Sequence, residues 1–286
     1  MGMTNGNGSV GRVSVLRRYP VKSMLGERCA TLDVGPMGVV GDRRYALIDD
    51  ESGRVATAKN PRLWRRLLEC TATTGDDGVV VTLPDGRTVP VTEAAGPLSE
   101  LLGRTVHMAD ERSAGAVLER PDPDDVLAQG LDAETEIVLL ELAQGAPGGA
   151  FVDHSAVHLI ASSTLDAIGF DEAESVRYRP NFVIETVDGT PPFVENDWVG
   201  RTVHLGEVVL RGALPTPRCS VPTLEHGDLP RSPHSVRYPQ EHNRVQAGEF
   251  GVGPCAGLYA EVVSGGTVRD GDTVRIGEPA SADEVA

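Results

Sequence analysis

Apolar residues recur at every second position through much of this chain, the spacing of half-buried β-strands. Val13-Ser14-Val15-Leu16-Arg17 opens the series, and Tyr45-Ala46-Leu47-Ile48 follows, closed by the turn Asp49-Asp50-Glu51-Ser52-Gly53. Val79–Leu83 and Arg87–Val91 flank Pro84-Asp85-Gly86, a hairpin signal. The second half predicts strands over 181–186, 202–205, 208–214, 258–263 and 273–276, with Gly206-Glu207 and Asp270-Gly271-Asp272 as turns. Helical signals are few: 97–102, and a helix capped by Ser162-Ser163-Thr164 with Leu165, Ile168 and Leu159 on one face. The pattern predicts a mainly β fold with a few helices, built as two closed or nearly closed barrels.

Two segments break the alternation. Between Asp110 and Glu136 the chain is acidic and punctuated by Pro and Gly, which predicts an interdomain crossing. The expected division is a disordered tail at 1–9, a first domain at 10–110, the crossing at 111–135 and a second domain at 136–280. From Glu225 to Phe250 a long polar stretch predicts a functional or mobile loop.

Composition narrows the function. The 286 residues carry a formal net charge of -16, which argues against binding nucleic acid through phosphate neutralisation. The charge is uneven: residues 1–70 hold 12 Lys/Arg against 7 Asp/Glu, while residues 71–176 hold 4 against 20. A cationic first segment in an acidic protein suggests a held anion or a balanced basic surface. No stretch approaches a membrane span, and Met1–Ser9 has no signal-peptide core, with Gly6 where myristoylation would want Ser or Thr. These features predict a cytoplasmic protein with no membrane partner. Cys29, Cys70, Cys219 and Cys255 are widely separated, with no C-x-x-C and no zinc spacing.

The candidate chemistry centres on Cys219, which follows Pro215-Thr216-Pro217-Arg218. Prolines stiffen this loop and Arg218 favours a thiolate, although a free cysteine is also a common buried residue. A nucleophilic Cys219 would want a base, with His154, His158, His226, His234 and His242 available but undirected. The last three read as surface residues. As a soft ligand, the thiolate suits molybdenum or copper. Lys22, Arg43 or Arg44, Lys59, Arg179 and Arg218, pooled, offer the fork geometry that phosphate needs. Arg43 and Arg44, adjacent in an extended segment, should face opposite ways. Asn181, in Tyr178-Arg179-Pro180-Asn181, would satisfy backbone groups or touch a ligand's amide edge. No Walker A, HExxH or GxSxG is present and no GxGxxG follows a strand, so no bound flavin or nicotinamide is expected and electrons would come from a partner.

The ordered motifs resemble the MOSC-domain proteins that carry an N-terminal β-barrel domain, as in mitochondrial amidoxime reducing component and its bacterial relatives. The likeness covers nearly all of 10–278. It rests on Tyr19-Pro20-Val21-Lys22-Ser23, Asp42-Arg43, Thr57-Ala58-Lys59, Phe151-Val152-Asp153, Tyr178–Asn181, Arg218-Cys219 and Val268-Arg269-Asp270-Gly271-Asp272. The resemblance implies a molybdenum cofactor, molybdopterin-bound, with Cys219 as metal ligand. It implies that Lys22, Arg43, Thr57, Lys59, Arg179, Asn181 and Arg218 bind the cofactor, with Asp153 catalytic near the metal. The implied reaction is two-electron reduction of N-hydroxylated or N-oxide small molecules by oxygen-atom transfer. Electrons would come from a separate ferredoxin- or flavoprotein-type donor, since no iron-sulfur domain is expected here. Lys59 stands where relatives usually carry arginine, and Ser220–Gly227 lacks the usual Thr-Thr-x-Asp run. A persulfide or cofactor carrier using Cys219, or a specialised biosynthetic enzyme, are the alternatives.

Overall fold

A computed structural model describes residues 8–279. The first half forms β1 (Ser9–Arg18), β2 (Glu27–Cys29), β3 (Thr31–Gly35), β4 (Gly38–Val39), β5 (Ala46–Asp49), α1 (Pro61–Trp64), β6 (Thr71–Gly75), β7 (Gly78–Thr82), β8 (Thr88–Pro90), α2 (Ala95–Leu102) and β9 (Val106–Ala109). The middle holds β10 (Val117–Pro121), α3 (Pro123–Gln129) and β11 (Ile137–Glu141). The second half forms β12 (Val157–Ala161), α4 (Ser162–Ile168), β13 (Phe182–Thr186), β14 (Arg201–Leu205), β15 (Val208–Pro217), α5 (His234–His242), β16 (Arg244–Gln246), β17 (Val252–Ser264), β18 (Gly266–Arg269) and β19 (Thr273–Pro279).

Seven of these strands close into a barrel in the order β12-β13-β1-β19-β14-β15-β17, with β17 pairing back onto β12. Its interior holds Val13, Leu16, Leu159, Phe182, Leu210 and Leu258, all buried. These are inward positions of alternating strands, so the period-2 pattern of the sequence becomes the barrel lining. β12 and β13 run parallel, with Leu159 opposite Phe182. A parallel pair needs a crossover, which α4 and the 174–178 turn provide. One stave comes from the far end of the chain: β1 pairs with β13 on one side and β19 on the other.

A second apolar core gathers Val21, Met24, Leu47, Trp64, Leu67 and Leu98 under β5–β9 and β6–β7–β8. The chain passes from one core to the other directly after β1, since Val21 bridges Tyr45 and Lys22 N donates to Tyr45 O at 2.8 Å. Pro61 starts α1 at a position whose N–H needs no partner. α2 ends at Gly103, whose φ of 65° is the left-handed cap conformation.

Strand pairing crosses between the two halves, since β1 of the first half belongs to the barrel of the second. Several expectations are corrected. The acidic segment is not simply a crossing: it supplies β10, which pairs with β11 from Val117↔Glu141 to Pro121↔Ile137. The stretch 225–250 is not structureless, since it contains α5 and β16. The triplet Ser162-Ser163-Thr164 does not cap α4. Ala161 holds the cap position without a side-chain bond, and Thr164 Oγ1 instead donates to buried Glu195 at 2.8 Å. Leu159 lies in β12, not on the helix. Most of the tail expected at 1–9 lies outside the described residues, and Ser9 already belongs to β1.

Candidate functional site

A cavity opens where the barrel meets the second core. Lys22, Arg43, Thr57, Lys59, Asp153, Arg179, Asn181, Arg218 and Cys219 all line it, whereas Arg44, His226, His234 and His242 do not. Its volume is about 140 Å³, below the roughly 300–1,000 Å³ of cavities that hold a whole drug-sized ligand. Three residues at the cavity hold left-handed backbone without being glycine: Ser23 (φ 65°), Arg43 (φ 45°) and Arg179 (φ 55°). Such conformations cost of order 1–3 kcal/mol and persist where the surroundings impose them.

Lys22 leaves the end of β1 and is 5% exposed. Its Nζ donates to Phe151 O at 3.0 Å and to Asp153 Oδ1 at 2.6 Å. An ammonium has three N–H groups, so one remains for a ligand. Lys59 Nζ approaches the same Asp153 oxygen at 3.2 Å. Burial lowers the Lys22 pKa to about 8 against the pull of Asp153, and Lys59 pushes the same way as burial. Burial would raise the Asp153 pKa, but Lys22 and then Lys59 hold it well below the usual carboxylate range. Thr57 is buried and its Oγ1 accepts from Lys59 N at 3.3 Å, shaping that turn.

Tyr19 carries two guanidinium groups over its ring, Arg43 at 4.5 Å and Arg179 at 4.4 Å. The left-handed turn at Arg43 replaces the extended segment expected there. Arg43 reaches the cavity and pairs with Asp42, while Arg44 is exposed beside Asp110. Arg43 also donates to Arg179 O at 3.0 Å. Arg179 donates from Nη1 to Met24 O at 2.5 Å, and its Nη2 is buried with no partner. Burial, and next the adjacent Arg43, lower the Arg179 pKa to about 10.

Cys219 is half-buried and free, at the end of β15. Pro215 and Pro217 lie beyond the part of β15 that pairs with β14, and they face Leu258 and Cys255 of β17 across a register shift. Arg218 N then donates to Pro254 O at 2.9 Å, tying the loop to β17. The Arg218 side chain does not present a free fork. Its Nε donates to Ala256 O at 2.8 Å, Nη1 to Tyr178 O at 3.3 Å, and Nη2 to Ala256 O and to His158 Nε2, the latter at 2.6 Å. Burial and the neighbouring Arg218 hold the His158 pKa well below its ordinary value, so His158 accepts this bond as a neutral ring. Arg218 therefore positions Cys219 and adds charge, and its N–H groups are turned to protein acceptors.

Asn181 is likewise committed: Oδ1 accepts from His158 N at 3.1 Å and Nδ2 donates to Arg17 O at 3.4 Å. It staples β12 to β1, which selects the backbone reading over contact with a ligand. His226 is corrected too. It is buried, with Nδ1 on Leu224 O at 3.0 Å, whereas His234 and His242 are exposed as expected.

Sequence reasoning missed two lining residues of chemical interest, Arg120 and Tyr259, and gave Ser23 and His154 no defined role. Ser23 Oγ accepts from Ala58 N at 3.0 Å, joining two turns of the site. His154 was only one undirected histidine among several. Its Nδ1 meets Ser155 Oγ at 2.9 Å and its Nε2 meets Glu249 Oε1 at 3.0 Å, with the Phe250 ring 5.3 Å away. The segment before β17 thus closes over one side of the cavity.

The cavity is electropositive. Seven cations line it (Lys22, Arg43, Lys59, Arg120, Arg177, Arg179, Arg218). Against them stand four carboxylates: Asp153 and Glu141 in the lining, Asp42 on Arg43 and Glu174 on Arg177. Among the described residues no group of three His, Cys, Asp or Glu side chains is placed to hold a metal ion. A lone cysteine sulfur beside surplus cations suits a metal carried on an anionic organic ligand better than a bare ion.

Residues 10–115 match the family model of the MOSC N-terminal beta barrel domain, and residues 147–275 match that of the MOSC domain. The chain belongs to the MOSC family. Comparison with curated proteins finds no match. Among solved structures, this MOSC protein is similar to the YUAD protein from Bacillus subtilis at 9% identity and TM-score 0.41, covering 93% of this chain and 94% of that one. A crystal structure described as a hypothetical protein gives 11% identity and TM-score 0.36, over 95% and 70% of the two chains. YiiM from Geobacillus stearothermophilus gives 14% and 0.30, over 58% and 75%. No helix among the described residues of the MOSC protein is long and apolar enough to cross a membrane.

Proposed function

We propose that this protein is a molybdenum-cofactor-dependent oxidoreductase that reduces N-hydroxylated or N-oxide small molecules. The observation that carries the reading is a free thiol, Cys219, in the same cavity as a buried guanidinium with an unpartnered N–H, Arg179. A buried N–H left without an acceptor is costly, and an anionic ligand would relieve that cost.

The residues fit such a cofactor. Cys219 would ligate the metal, and Arg179 Nη2 with the remaining N–H of Lys22 would hold the phosphate. Arg43, Lys59 and Arg218 add to the field, while Thr57 and Asn181 shape the turns that carry it. When bound, the cofactor supplies two-electron chemistry with oxygen as the transferred atom. Asp153, kept ionised by Lys22 and Lys59, accepts hydrogen bonds and orients a substrate N–H or a water. The electron donor would be a separate ferredoxin or flavoprotein.

Metal analysis and pterin fluorescence on protein made in a cofactor-competent host test the proposal. Stoichiometric molybdenum that disappears in Cys219→Ala, with an unchanged far-UV spectrum, is the expected result. Clean wild-type preparations with neither molybdenum nor pterin would sink it. A persulfide carrier would need a thiol open to a macromolecular donor, and the half-buried Cys219 packed near Ala58, Leu68 and Val221 favours the small-molecule reading.

A further inference from the structure

The cavity cations differ in one respect. Lys22 and Lys59 lie on Asp153, Arg43 on Asp42, Arg177 on Glu174, Arg179 on Met24 O and Arg218 on Ala256 O. Arg120 has no acceptor among the described residues, and its Nε is buried without a partner. This is not an accident of exposure, since the side chain is half-buried.

The strand explains its direction. β10 alternates, so Glu119 turns away to bond Arg54 and Asn60, the latter at 2.8 Å, while Leu118 and Arg120 line the cavity. Across the hairpin, Leu118 is paired with Leu140, also in the lining, and Arg120 with Val138. An apolar strip therefore leads to an uncommitted guanidinium. Glu141, the other charge that this hairpin turns to the cavity, is opposite Val117, three residue pairs from Arg120 and so about 10 Å along the strands.

We propose that Arg120 is a specificity residue that selects small molecules with an apolar body and an anionic end group. The body lies on Leu118 and Leu140, and the anion accepts two parallel N–H bonds from Arg120, the geometry that a carboxylate or phosphate matches. This rests on the reductase reading for the identity of the reacting group, and on the hairpin alone for the anion.

The test compares an aryl amidoxime bearing a para-carboxylate with its neutral methyl ester, on cofactor-loaded wild type, Arg120→Gln and Arg120→Lys. A charged hydrogen-bonded pair corresponds to about tenfold or more in affinity. Wild type should prefer the carboxylate by about that factor in kcat/KM, through KM, and Arg120→Gln should bring the ratio to about one, with Arg120→Lys between. A wild type that turns over both compounds without preference, or a ratio intact in Arg120→Gln, overturns the proposal. If neither compound is turned over, the reductase reading fails by itself. Calorimetric titration of the same two compounds then decides: tighter carboxylate binding by wild type than by Arg120→Gln supports the role of Arg120, and equal affinities overturn it.

Discussion

Arg218 and Cys219 are neighbours in sequence with divided roles: the donors of the arginine hold the loop, so that the cysteine can face the cavity. Arg218→Gln would leave the Ala256 and Tyr178 carbonyls and His158 without their charged donor. A loss of about 3 kcal/mol in urea unfolding is expected, together with loss of any ligand held through Cys219. Lys22 sets a pH dependence. Its pKa is about 8 in the folded chain against 10.5 in the unfolded one. Between those values the unfolded chain binds the proton that the folded chain has released, so stability rises with pH across the window, by up to about 3 kcal/mol. Anion binding runs the other way: phosphate affinity should hold steady below pH of about 7 and weaken as pH rises through about 8, where Lys22 loses its charge. Lys22→Arg should bind phosphate with no such fall, as read by calorimetry across the range. Cys219, Lys22, Arg43, Lys59 and Arg179 were legible in the sequence because each sits in a short motif stiffened by proline or a turn. The roles of Arg218 and Asn181 were not, because spacing says which residues meet and nothing of which donors the backbone consumes. Arg120 was invisible for another reason: it lies on a strand in a segment whose acidity masked the strand.

At the scale of elements, the site depends on how β17 is pinned. Buried Glu195, in the 194–198 turn, accepts from Gly257 N at 3.0 Å and from Thr164 Oγ1 at 2.8 Å. Burial raises its pKa, and these hydrogen bonds pull the other way. Gly257 has a φ of 86°, and a Cβ there would fall 2.5 Å from His158 Nε2 and from Leu159 O, and 3.1 Å from Arg218 Nη2. Gly257→Ala must therefore push His158 and Arg218 from their places as well as strain the backbone. We expect a destabilisation of about 2–4 kcal/mol, with faster hydrogen exchange in the 217–222 loop; a variant of wild-type stability and exchange would contradict the pinning. The strands of the barrel were readable from alternation. The crossover helix cap was not, because its hydroxyls answer to partners more than twenty residues away: Ser162 to Thr186, Ser163 to Pro191 O and Thr164 to Glu195.

At the scale of the molecule, the two family regions share a strand. β1 belongs by sequence to the N-terminal region, matched over 10–115, and by hydrogen bonding to the barrel. A fragment spanning 136–279 would lack one stave of seven, exposing the edges of β13 and β19 and the apolar faces that Val13 and Leu16 cover. It should show no cooperative thermal transition and should aggregate. Adding a peptide of residues 8–18 should restore a transition if the missing stave is the cause. Alternation along β1 was plain in the sequence, but its neighbours were not, since pairing over more than two hundred and fifty residues leaves no local mark.

The order of strands also has a consequence in time. β1 leaves the ribosome first, while β19, the strand that seats against its other edge, is made last. At about 5–20 residues per second, roughly 13–50 s separate the two. Throughout that interval the nascent chain can assemble the core around Trp64 and Leu98, yet the barrel cannot shut. The site that spans both thus forms only after β19 has been made, so a chain terminated before β19 cannot present a finished cavity to a ligand.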